Sequence, residues 1–312
     1  MVVIQENHNG LATEWLVSVL VVLTTDFLRS VRKLVLDLDR QDLGREILGE
    51  VAGRNPNDDK HGGVDKKSEE LFAVFCTGAW VEHGIKFWIR SEHNQQGYGI
   101  GCDSREEADV ECDIDPFDGT DQYVKRFREA WWSALTFSRG GVPLVGGTVD
   151  ILVGILYLAY GGRVEEVSIR TGRRKRVLPR QEWQLNAESV VTAYKGRWKF
   201  ISPWVERVEQ LFSREDLEGT THTGNGGSFV YSLLAAGVLS AYIMEEEPVS
   251  EISPGAAFVQ TTDLCLLLVK GGNITKLNPL LGMEGHVEGV LVAACTEELA
   301  WDIAEQLQDD KQ

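Results

Sequence analysis

Apolar residues recur every three or four positions at Leu16, Leu20, Leu23, Phe27, Val31 and Leu34. That spacing predicts an amphipathic helix that packs one face on a core. The apolar run inside it, Trp15 to Leu23, contains Ser18 and is followed by Asp26, and it is too short to span a bilayer. Glu6 and Glu14 precede it where a signal peptide would carry basic residues, so no such peptide is expected. Turn formers from Arg54 to Asp59 break the helical pattern, and a second helix is predicted from Asp65 through Trp80.

The period then changes from helical to alternating. Ile85 to Ile89 reads as a strand, and Ala108 to Asp115 alternates apolar with acidic residues, predicting a strand with one buried face and an acidic face opposite. From Ala134 to Tyr160 the chain reads as hairpins rich in β-branched residues, with Gly140-Gly141 and Gly146-Gly147 as breakers. After Pro179 strands alternate with helices, as in Ser189 to Tyr194 followed by Trp204 to Phe212. This places a domain boundary near residue 185, giving an N-terminal unit over 1–185 and a C-terminal unit over 186–312 whose loops can meet. Thr220 to Ser228, with Gly224, Gly226 and Gly227, reads as a turn before a helix over Phe229 to Ala236. It is either a plain turn or a close approach to a ligand, and it lacks the Lys-Ser/Thr ending of a phosphate loop.

The candidate chemistry lies at the end of the acidic strand, in Asp115-Pro116-Phe117-Asp118-Gly119-Thr120. Two carboxylates three residues apart repel each other and raise each other's pKa unless a positive partner is present. A divalent cation with hard oxygen ligands supplies one; the plainer reading is a solvated acidic turn at Asp118-Gly119.

This hexapeptide resembles the D-P-hydrophobic-D-G-T signature of the inositol monophosphatase-like family, Mg²⁺-dependent and often lithium-sensitive phosphatases that include fructose-1,6-bisphosphatases and bisphosphate nucleotidases. Other segments resemble family motifs in the expected order. Asp59 to Asp65 is similar to D-x-x-T-x-x-D, with Gly62 where Thr is usual. Ser91-Glu92-His93 follows a strand as the family's Glu-Glu pair does, with His93 replacing the second Glu. Gly237 to Tyr242 resembles G-x-x-D-A-Y, and Ser250-Glu251 stands where Trp-Asp is expected. Pro143 to Gly147, the strand Ile151 to Leu158 and the closing Gly289 to Cys295 extend the resemblance from about residue 12 to 308.

The resemblance implies an α+β fold, a layered αβαβα sandwich of the sugar-phosphatase type. It implies hydrolysis of a phosphate monoester of a small sugar, polyol or nucleotide by metal-activated water, with two or three Mg²⁺ ions, or Mn²⁺ in their place. On that pattern Glu92, Asp115 and the Phe117 carbonyl hold a first cation. Asp115, Asp118 and Glu251 hold a second, with Asp263 the fallback for Glu251. Thr120 paired with Asp65 orients and helps deprotonate the water, and the backbone N–H groups of Gly119 and Thr120 receive the phosphate. Met244 replaces a sugar-binding Glu of inositol phosphatases, which lowers the expectation of inositol phosphate as substrate. The replacements at Gly62, His93, Ser250 and Glu251 keep a second reading open: a diverged, catalytically weak member acting as a binding or regulatory protein. Members are often homodimers.

Composition narrows the partners. At 312 residues, 43% hydrophobic and 25% charged, the chain has ordinary globular usage. Forty-eight acids against 31 basic residues give a net charge of −17, which opposes binding to nucleic acid or an anionic membrane. Five scattered cysteines without C-x-x-C spacing suggest neither a disulfide framework nor zinc, and fit a reducing cytoplasmic setting. The one concentrated basic stretch, Arg173 to Arg176, reads as a solvated hairpin tip or, alternatively, as an attractor for a second substrate phosphate.

Overall fold

The computed structural model describes residues 13–50, 60–194, 208, 211–213, 217, 220–224, 226–280 and 285–308. Asp59, the turn segment over 54–59 and most of the helix expected over 204–212 lie outside them.

The predicted first helix forms as α1, Thr13–Arg40, and the second as α2, Gly63–His83. Leu16, Leu20, Leu23, Phe27 and Val31 are buried as the period requires, while Leu34 is half-buried and Val35 takes the inner position beyond it. Between them β1 (Ile47–Glu50) pairs with β2 (Lys60–Gly62). Both helices cover an eight-stranded sheet built from β3 (Phe87–Ser91), β4 (Asn94–Ile100), β5 (Val110–Asp118), β6 (Trp132–Arg139), β7 (Val142–Asp150), β8 (Ile155–Tyr160), β9 (Arg163–Ser168) and β10 (Arg174–Val177). Its order is β10-β9-β8-β7-β6-β5-β3-β4, antiparallel except for the β3–β5 pair.

A second sheet of six strands follows: β11 (Val190–Tyr194), β12 (Thr221–Thr223), β13 (Ala241–Glu245), β14 (Cys265–Lys270), β15 (Asn273–Lys276) and β16 (Val290–Ala294). The change of pattern read near residue 185 falls in the connection between the two sheets, after Val177 and before Val190. A helical layer lies between the sheets, made of α4 (Val230–Ala235), α5 (Val249–Ile252) and α6 (Ala256–Thr262); α3 (Thr120–Val124) precedes it in the chain. The last helix, α7 (Glu297–Gln308), covers the outer face of the second sheet against β14 and β16. Helices, sheet, helices, sheet and helix thus stack as an α+β sandwich, with one apolar core under α1 and α2 and another around the second sheet.

Two glycines read as breakers are not breakers. Gly146 and Gly147 lie inside β7, pairing with Ala159 and Leu158. A Cβ on Gly147 would sit 2.4 Å from Thr24 of α1, and one on Gly146 would sit 2.6 Å from Ala257 of α6. Absence of side chains there lets a helix approach each face of the sheet. The acidic face of β5 is also not solvated as its alternation suggests. Arg90 of β3 makes a two-pronged contact to the buried Asp113, at 2.7 and 3.0 Å, Asp115 is buried as well, and the part-buried Glu111 pairs with Arg90 and Arg105.

Buried polar contacts fix that middle layer on the first sheet. Thr136 Oγ1 of β6 donates to the Pro254 carbonyl at 2.7 Å and accepts from the Ala257 N–H at 3.2 Å. Thr148 Oγ1 of β7 donates to Ser232 Oγ of α4 at 2.7 Å. The turn that carries Glu251 is thereby held over the end of β5. All five cysteines are free thiols. Among the described residues no helix is long and apolar enough to cross a membrane.

Candidate metal centre

In a regular strand, residues three apart point to opposite faces, so Asp115 and Asp118 would diverge. A register shift brings them together. Asp115 pairs with Ala134 and Asp118 with Trp132, so two residues, Pro116 and Phe117, bulge opposite one. Pro116 has no N–H to lose from the ladder there, and Phe117 is anchored in the core beside Tyr123 and Trp131. Gly119 follows at φ +110, where a Cβ would strike the Ala130 carbonyl, and α3 opens at Thr120.

Glu251, from α5, completes the cluster: one carboxylate oxygen from each of Asp115, Asp118 and Glu251 lies within 4.8 Å of the others. Asp115 is 2% exposed, so the three charges crowd in a partly dry setting. Oxygen donors bound at about 2.0–2.2 Å to one cation lie at most about 4.4 Å apart, close to the bound on this cluster, so a small convergence of the carboxylates would let them share one divalent ion. Asp263 stands elsewhere, exposed in left-handed conformation at the C-terminal end of α6.

The turn before α4 is part of this site, deciding the question that its glycines left open. Ser228 Oγ donates to Asp115 Oδ2 at 3.1 Å, and the Ser228 N–H donates to Glu251 Oε2 at 3.0 Å. Gly227 is at φ +126, and a Cβ there would lie 1.9 Å from Asp118 Oδ2. Only glycine fits. Gly227→Ala should therefore displace Asp118 or the turn by about 1 Å and weaken divalent-cation binding at this cluster about 10–100-fold, while the melting temperature of the cation-free protein falls only modestly. Unchanged cation affinity in that variant would remove the turn from the site.

A second group forms beside the first, with Asp65, Glu92 and His93 each offering an atom within 4.8 Å of the others. This grouping sets Glu92 with Asp65 and His93. Asp65 opens α2 and is fully buried; its Oδ2 accepts from the Gly62 N–H at 2.6 Å, and its Oδ1 accepts from Thr120 Oγ1 at 2.6 Å. Gly62, where the resemblance leads one to expect Thr, has a Thr120 methyl 3.0 Å from where its Cβ would be. Thr120 Oγ1 is also 3.3 Å from the Phe117 carbonyl. It therefore links the two acidic groups.

The electrostatics follow from this packing. Burial pushes the Asp65 carboxyl up to about 7, aided by the charge of Glu92 and opposed by His93, Thr120 and Gly62. Burial alone would lower the His93 imidazole, but Glu92, Asp65 and Glu69 outweigh it and hold it at about 9. His61 is pushed down to about 4 by burial and by His93, on which its ring stacks at 4.0 Å. The pocket strongly favours one positive charge. Sequence reasoning registered His93 only as a departure and missed His61 altogether; the stack joins β2 to the segment after β3, which no local pattern signals.

Two other expectations are settled by placement. Arg174 and Lys175 pair with Glu165 and Glu166 of the neighbouring strand at 3.4 and 3.0 Å. Their strand, β10, is five positions across the sheet from β5, about 24 Å at the usual strand spacing, so the basic cluster is a charged sheet edge remote from the acids. Met244 is packed in the second core.

No protein-family model and no curated protein sequence matches the chain. Solved structures do. The extragenic suppressor protein SuhB from Bartonella henselae aligns with 94% of this chain and 99% of its own, at TM-score 0.67 and 12% identity. SuhB from Mycobacterium tuberculosis aligns over 95% and 96%, at TM-score 0.59 and 19% identity. An inositol monophosphatase from Thermotoga maritima aligns over 91% and 94%, at TM-score 0.62 and 14% identity. The chain has the α+β fold of the inositol monophosphatases, and the resemblance read from its motifs holds at the level of that fold.

Proposed function

We propose that the chain is a divalent-cation-dependent phosphate monoester hydrolase acting on a small phosphorylated sugar, polyol or nucleotide. The observation that carries this reading is the 2.6 Å hydrogen bond from Thr120, which follows the Asp115–Asp118 segment, to the buried Asp65 of the second acidic group. Divalent ions such as Mg²⁺ or Mn²⁺, when bound, supply a polarised water and neutralise charge on the phosphoryl oxygens.

The protein's own groups account for the rest. Asp115, Asp118 and Glu251 hold one cation, with Ser228 fixing the orientation of two of the carboxylates. Glu92 holds another, with Asp115 and the Phe117 carbonyl as the remaining oxygen donors on the family pattern. Asp65 accepts the Thr120 proton and leaves the hydroxyl lone pairs facing outward to orient a water and receive its hydrogen. The N–H groups of Gly119 and Thr120 contribute donors at the first turn of α3. That helix is only five residues long, so the cations neutralise most of the phosphate charge. With Met244 in the core, no hydroxyl-binding carboxylate stands at that position, which favours substrates other than inositol phosphate. The charge of −17 and the free thiols accord with a cytoplasmic enzyme working on small molecules, and the family pattern extends to a homodimer of this chain.

The test is a phosphate-release screen over sugar phosphates, inositol phosphates and 3′-phosphoadenosine 5′-phosphate, with Mg²⁺ or Mn²⁺ and with excess chelator. Turnover of at least one substrate should fall to background in chelator and return on adding the cation. Turnover undiminished by chelator would refute the metal-dependent reading, and no turnover on any substrate would favour a catalytically weak binding protein.

A further inference from the structure

We infer that His93 is a nitrogen ligand in the cation site of Glu92, so that this site prefers a borderline transition cation over Mg²⁺. The inference rests on the proposed cation dependence and concerns which ion the chain is built to hold.

The geometry suits a ligand. His93 Nε2 is 3.1 Å from Glu92 Oε1, an ion-pair distance whose angles fall outside those of a well-formed hydrogen bond. Adjacent donors on an octahedral ion with bonds of about 2.1 Å lie about 3.0 Å apart, so the pair is spaced as neighbouring ligands of one cation. The imidazole is itself 4% exposed, and neither ring nitrogen has a hydrogen-bond partner among the described residues. A buried ring nitrogen without a hydrogen bond is destabilising, and coordination would satisfy it.

The ring is also held in place. His61 stacks on it with planes 19° apart, which restricts rotation about the His93 side chain while leaving its edge toward Glu92. Once a cation displaces its proton, the imidazole in place of a carboxylate removes one negative charge and adds a nitrogen donor. Imidazole suits Fe²⁺, Ni²⁺ and Zn²⁺, whereas Mg²⁺ takes oxygen ligands and retains water, so the nitrogen donor favours the transition ions; Mn²⁺, at the oxygen-preferring end of that series, serves as the spectroscopic probe.

The test loads metal-free protein with Mn²⁺ and records electron spin echo modulation, in which a directly coordinated imidazole nitrogen gives a characteristic coupling. Wild type should show it. His93→Glu, which offers oxygen instead, and His93→Gln should lose it, while His61→Gln should keep it. In calorimetric competition, His93→Glu should also lower the Mn²⁺ over Mg²⁺ preference at least about tenfold. If the His93 variants fail to fold, nitrogen coupling retained in His61→Gln still supports the assignment. Mn²⁺ bound to wild type without nitrogen coupling, in protein that releases phosphate, would overturn the ligand role of His93 and leave the hydrolase reading standing. Failure to bind Mn²⁺ at all would overturn both.

Discussion

Asp115→Asn is expected to lower phosphate release by about a thousandfold or more while leaving the protein folded. Asn matches Asp in shape, and its amide oxygen can still accept from Ser228 Oγ, the contact that orients this side chain. What it removes is the negative charge at the centre of a cluster whose other members are Asp118 and Glu251. Loss of a single group that stabilises developing charge costs about 10²–10³-fold, and loss of a cation ligand that serves the whole site costs at least as much. Stability should move the other way. In chelator the three carboxylates repel one another, so removing one charge should hold or raise the melting temperature. Adding Mn²⁺ should then raise the melting temperature of wild type and do so much less for the variant, since a ligand stabilises only in proportion to its binding. Wild-type turnover in this variant, or a lower melting temperature in chelator, would place Asp115 in a structural role.

The parts of this site that were legible in the sequence are those set by local spacing. Asp115, Asp118, Gly119 and Thr120 lie in one hexapeptide, and the strand before them shows its own alternation. The bulge that turns Asp118 to the side of Asp115 is less visible, because a plain strand count puts them on opposite faces; Pro116 is its only local sign. Gly227 could not be read as essential, since its requirement comes from contact with Asp118, which the fold supplies. Gly146 and Gly147 misled for the same reason: an empty Cβ position means a break in a hairpin and a close helix approach in a covered sheet, and only the packing of α1 and α6 distinguishes the two. Likewise the acids of β5 suggested a wet face because alternation reports polarity, whereas Asp113, held by Arg90, and Asp115 are buried.

Asp65 and Thr120 were paired on the strength of a resemblance, and their bond of 2.6 Å gives that pairing a direct chemical test. Asp65 accepts two hydrogen bonds, one from the Gly62 N–H and one from the Thr120 hydroxyl. An asparagine at this position can satisfy the same neighbours only by turning its oxygen to Gly62 and donating its amide N–H to Thr120. Thr120 must then accept from that amide and donate outward, reversing the polarity offered to a water. The fold survives and the proton path does not. Asp65→Asn should lower kcat by about 10²–10⁴-fold, the usual range for a general base, with KM and the response of the melting temperature to Mn²⁺ changed far less. Thr120→Val, nearly isosteric, should cost a similar factor. Because the two act as one unit, the double variant should be scarcely slower than either single one, instead of showing the product of two independent losses. Multiplying losses in the double variant would show that Asp65 and Thr120 serve separate functions, with Asp65 then acting through the Glu92–His93 group alone.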